Sequence, residues 1–174
     1  MRRKKNRDIL FLCVILLLIG SLVYQGYRIF NPQHDEQENA GQMLFEVVHF
    51  QMEILNSSLM DVIHMDTTEQ LNGLKLAAYS AHFGHERMVK TFGENNLNRL
   101  PAIEELVNKI TSWQIGGERP LRQNERDQLV EYSTSFAELL PIYSLLVDGS
   151  HHIVKNQANQ LDQLGQKLDK LISD

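Results

Sequence analysis

The stretch from Leu71 to Phe92, LNGLKLAAYSAHFGHERMVKTF, decides the fold. Leu71, Leu74, Ala78, Ala81, His85, Met88 and Phe92 recur at three- and four-residue steps. That spacing stacks them on one face of an α-helix. The small side chains of Ala77, Ala78 and Ala81 let a second helix approach closely. Just upstream, Asp66-Thr67-Thr68-Glu69-Gln70 reads as a helix start. Asp66 or Thr67 can accept from backbone N–H groups, and Glu69 or Gln70 can return the bond. Gly93 is a natural stop.

The same periodicity recurs on both sides. Toward the N-terminus it predicts a helix over about 42–65, with Leu44, Val47, Val48, Leu55, Val62 and Ile63 as its stripe. Phe50, Met52, Ile54 and Met60 widen that stripe, so this helix has room for more than one neighbour. Toward the C-terminus, Pro101 suits a first turn because its missing N–H has no partner there anyway. A helix follows with Ile103, Leu106, Val107, Ile110 and Trp113, stopping at Gly116-Gly117. The next runs over about 124–147 with Leu129, Val130, Tyr132, Phe136, Leu139 and Leu140 inward. Pro141 should kink or split it. Asp148-Gly149-Ser150 is a break with a cap expected at Ser150.

The last helix spans about 151–172. Val154, Leu161 and Leu168 fit heptad a positions, and Gln157, Leu164 and Leu171 fit d. This gives a narrow, coiled-coil-like seam, which either packs on the chain's own bundle or meets a second copy or another protein. No strand-like alternation is present. Short connections between amphipathic helices favour antiparallel packing, so the expected fold is all-α, a four- or five-helix bundle over residues 42–174.

Ahead of the bundle the composition changes. Residues 29–41 are polar, with Pro32 near their start and Asp35, Glu36 and Glu38 following, and read as a linker. Before them lies ILFLCVILLLIGSLVY, Ile9 to Tyr24, without a charge. With its edge it approaches the ~20 residues that cross ~30 Å of hydrocarbon. Residues 9–28 are therefore expected to form a transmembrane helix that partners the lipid bilayer. Tyr24 and Tyr27 suit the outer interface, and residues 1–8 form a basic tip on the cytoplasmic side. A cleaved signal peptide shares the basic start and apolar middle, but the run is long and no A-x-A-like site follows. The expected location is the cell membrane, single-pass, with the helical domain extracytoplasmic. The architecture is similar in a general way to extracytoplasmic helical sensor domains, which usually return through a second span. No second apolar run of that length occurs here.

Charge follows the same division. Residues 1–28 hold six basic side chains against Asp8 alone, and the remainder holds 11 basic and 21 acidic ones. An acidic outer part repels phosphate, which argues against nucleic acid as a partner. The single cysteine, Cys13, lies inside the apolar run, so disulfides and cysteine metal sites in the rest of the chain are excluded.

Few residues carry a chemical signal. His82, His85 and Glu86 fall at i, i+3 and i+4 on one helix face, a spacing that can hold a metal ion, with His49 and His64 as further candidates. The string is not H-E-x-x-H and lacks the paired E-x-x-H segments of di-iron bundles. His151-His152 point about 100° apart and do not converge. Glu104-Glu105 and the pair Asp127 and Glu131 sit among arginines and read as solvated surface. Asn56-Ser57-Ser58 matches the glycosylation triplet but lies within a helix. No G-x-S-x-G, S-x-x-K or glycine-rich phosphate loop is present.

The expectation is therefore a membrane-tethered extracytoplasmic interaction or scaffold module, not an enzyme and without a cofactor. Its partner is another protein or a second copy, engaged through the terminal helix. The alternative is a receptor for a small ligand or metal ion, with a pocket lined by Tyr79, His82, Trp113 and Tyr132.

Overall fold

The computed structural model describes residues 16–25 and 32–173, with side chains in the second segment described from residue 40 onward. Among these residues the chain is all-helical. Helix α1 is described over residues 16–25. It is followed by α2 (Pro32–Met60), α3 (Asn72–Phe92), α4 (Pro101–Gln114), α5 (Gln123–Ala137), α6 (Leu139–Tyr143) and α7 (Lys155–Ser173). No helix among the described residues is long and apolar enough to cross a membrane. Half of the expected span, residues 9–15 and 26–28, lies outside the described residues. The chain divides into two compact units, residues 1–40 and 41–174, and the hydrophobic core lies in the second.

Three boundaries differ from the sequence reading, each for a local reason, and the break expected at Pro141 is present. The stretch expected as a linker is helical from Pro32 onward, since proline is well tolerated in a first turn. At its other end α2 tightens at Met60 into a 3-10 turn, Asp61–His64, instead of continuing to Met65. The helix expected over 124–147 is two helices. Pro141 has no N–H to offer the carbonyl four residues earlier, which belongs to Ala137, and Ala137 is where α5 ends. The last helix begins at Lys155, not His151. The Asp148 carboxylate accepts from the N–H of Ser150 at 2.9 Å and of His152 at 3.0 Å, and this holds a turn in which His151 has a φ of 61°. The expected Ser150 cap is thus replaced by an aspartate-centred turn.

The core forms from most of the predicted stripes, whereas Val47, Ile63 and Val130 of those stripes are exposed. Val48, Met52, Leu55 and Leu59 of α2 meet Leu74, Ala78, Ala81 and Met88 of α3, together with Ile103, Leu106 and Ile110 of α4 and Tyr132 and Phe136 of α5. Helices α2 and α3 run antiparallel in contact. Gly41 lies against the Phe92 ring, and a Cβ built on Gly84 would stand 2.9 Å from a Val48 methyl. The close approach thus centres on Gly84.

Helix α7 packs on α4, α5 and α6. Its buried residues are Ala158, Leu161, Gly165, Leu168 and Ile172. These follow alternating three- and four-residue steps, so a heptad seam exists, in a register shifted from the predicted one. Leu164 is only half-buried, and the small Ala158 and Gly165 face the core. The seam is covered by the chain's own helices.

The start of α3 uses the predicted glutamine. Gln70 Oε1 accepts from the N–H groups of Asp66 and Thr67. No side-chain cap accepts in return, because the buried Thr68 is engaged elsewhere. Its N–H donates to the Arg119 carbonyl at 2.9 Å, and its Oγ1 accepts from the Arg119 N–H at 3.2 Å. Arg119 in turn holds Glu125 in a two-pronged ion pair, 2.8 Å and 2.7 Å, while Glu125 also accepts the Arg122 N–H at 3.0 Å. One buried carboxylate thereby caps α5 and locks the loop before it. The guanidinium holds the Glu125 carboxyl below its ordinary range.

Candidate functional site

The structure separates His82, His85 and Glu86. His85 is fully buried and both of its ring nitrogens are engaged. Nε2 stands 2.9 Å from the Asn98 carbonyl, and Nδ1 stands 2.9 Å from the Tyr143 hydroxyl. A carbonyl only accepts, so Nε2 carries the proton and Nδ1 accepts from Tyr143. The Met88 sulfur lies 3.3 Å from the same hydroxyl. Burial pushes the imidazole down to about 4, partly offset by the Asn98 carbonyl, so His85 is neutral near pH 7. It ties α3, the loop before α4 and α6 together. His82 instead faces Glu104 at 4.0 Å, and Glu86 faces Arg99 at 3.7 Å.

The other histidines do not join them. His49 stacks on the Tyr143 ring, with centroids 6.4 Å apart, and His64 is exposed. His151 reaches Gln42 at 3.4 Å. Among the described residues, no three His, Cys, Asp or Glu side chains form a group able to hold a metal ion.

The four residues suggested for a ligand pocket do not share a cavity either. Tyr132 is fully buried and donates to the Ala102 carbonyl at 3.1 Å. Trp113 packs half-buried against the core, and Tyr79 is exposed. Two of the described concavities are open grooves. One of about 290 Å³ is lined by Thr68, Glu69, Asn72, Gln114, Gly117 and Glu118. Another of about 430 Å³ is lined by Asn124, Asp127, Gln128, Glu131 and Leu171. Glu104, Glu105, Asp127 and Glu131 are all exposed and line no enclosed cleft. Asn56 lies within α2 with its side-chain oxygen buried, a poor setting for modification.

A surface feature stands out instead. Met43, Val47, Phe50 and Ile54 follow each other at steps of four, three and four along α2, and all are exposed. Leu76, Tyr79 and Phe83 do the same on α3 at steps of three and four. At roughly 100° per residue, the exposed row lies about 150° around α2 and about 180° around α3 from the core-facing row. On each helix the side toward its neighbour, marked by Val48 and Gln51 on α2 and Gly84 on α3, lies between the core row and the exposed row. Because the helices are antiparallel, both exposed rows then point to the same outer side. Gly41 opposite Phe92 and Val48 opposite Gly84 fix the register, which brings Phe50 level with Phe83 and Ile54 level with Tyr79. The rows make one apolar face.

Its composition is unusual for a surface. Leu76 is 69% exposed, Met43 67%, Phe50 60% and Tyr79 58%. On ordinary residue areas the seven side chains present roughly 700–800 Å², above the few hundred Å² typical of the largest apolar patch on a monomer. The Arg87 guanidinium sits over the Phe83 ring, 4.6 Å from its centre. Part of this face was visible in the sequence as the residues that widened the α2 stripe. The α3 row went unremarked because its core row drew the reading.

The chain matches no protein-family model, no curated protein and no solved structure.

Proposed function

We propose that this chain is a membrane-tethered interaction module. Residues 9–28 cross the bilayer, and the helical unit over residues 41–174 stands on the extracytoplasmic side. The outer face of α2 and α3 is its binding surface, and no reaction is catalysed. The single observation that carries the interaction reading is the seven-residue apolar face, which an isolated helical bundle has no reason to leave in water. The tether rests on the uncharged run Ile9 to Tyr24 behind a basic cluster, read by the hydropathy and positive-inside rules. The binding site moves from the terminal helix, where the sequence suggested it, because that seam is filled by α4, α5 and α6.

Two measurements test this. Carbonate extraction and protease added to intact cells test the tether, which fails if the protein washes off membranes or the bundle is protected. A photo-crosslinking residue at Phe50 or Tyr79, with a control at the exposed Asn159, tests the surface in intact membranes. Adducts at the first two positions and none at Asn159 are expected. No adduct at Phe50 or Tyr79 removes the interaction reading.

A further inference from the structure

We draw no further inference here: the strongest candidate, the exposed apolar face that α2 and α3 form around Phe50, Tyr79 and Phe83, carries none because nothing among the described residues shows what covers it.

Discussion

Helix α7 and the α2–α3 pair both carry apolar rows at three- and four-residue steps, yet one row is covered and the other is bare. Along α7 the row is narrow, and Ala158, Leu161, Gly165, Leu168 and Ile172 all lie against the chain's own helices. Leu164 and Leu171 are half-buried at its edge and the rest of that helix is polar, so no exposed apolar row is left over. Along α2 the apolar residues exceed what one core-facing stripe requires. Val48, Met52, Leu55 and Leu59 fill the core, while Met43, Val47, Phe50 and Ile54 remain outside. Periodicity alone says that a helix has an apolar face. The angular width of that face says whether one neighbour is enough.

The contrast breaks most sharply if the buried row proves dispensable. Leu161→Ala removes a fully buried side chain from the α7 seam and is expected to cost about 2–5 kcal/mol in urea denaturation of the full chain. A loss below 0.5 kcal/mol would mean that α7 is loosely held and that its row, too, is available to partners.

Next comes the interior link that has no counterpart on the outer face. His85 is neutral in the fold, with its imidazole pushed down to about 4 from an ordinary 6.5. The unfolded chain therefore binds the extra proton between those values, so stability is full above pH 6.5 and falls as pH drops toward 4. The loss is on the order of 3 kcal/mol across that window. His85→Leu should abolish this pH dependence while lowering stability at pH 7, since it strands the Tyr143 hydroxyl and the Asn98 carbonyl. A pH slope between 6.5 and 4 that is the same in His85→Leu would assign the effect elsewhere.

A smaller change is expected at the loop that joins α4 to α5. Glu125→Gln removes the charge that Arg119 grips but keeps the shape, and should cost about 1–3 kcal/mol at pH 7. The carboxyl is held below its ordinary range, so its contribution is present above that range and lost as pH falls through the lowered value. Double-mutant analysis with Arg119→Gln would reveal the coupling, and additivity would deny it.

The smallest effect belongs to the outer face itself. Phe50→Ala should change monomer stability by no more than about 0.5 kcal/mol, measured below the concentration at which any association occurs. A cost of 2 kcal/mol would make Phe50 a core residue and erase the difference between the two rows.

How far the sequence reached depends on which signal each residue sends. The core row of α3 and the stops at Gly93 and Gly116-Gly117 were legible because spacing and left-handed glycine conformations act locally. The split at Pro141 was legible for the same reason, since a missing N–H acts four residues away. The register of α7 was misread because large side chains marked the seam and small ones did not. Leu164 and Leu171 drew the reading, whereas Ala158 and Gly165 lie against the core, where neighbouring helices need the space. The His82–His85–Glu86 spacing was real on the helix, but spacing along one helix carries no information about Tyr143 and the Asn98 carbonyl, which reach His85 from distant parts of the chain. The Arg119–Glu125 lock was missed for a similar reason. It depends on how a loop folds back, and loops send no periodic signal.

The hydrogen that stands for a side chain at Gly84 has an effect beyond the helix that bears it. It acts as a gauge for the separation of two rods, since a methyl group there would press on Val48 and Gln51 and push the rods apart. Widening that gap would open a furrow between the aromatic rings at positions 50 and 83, dividing one continuous surface into two ridges. Alanine at position 84 would therefore reshape the outer side from a position buried beneath it.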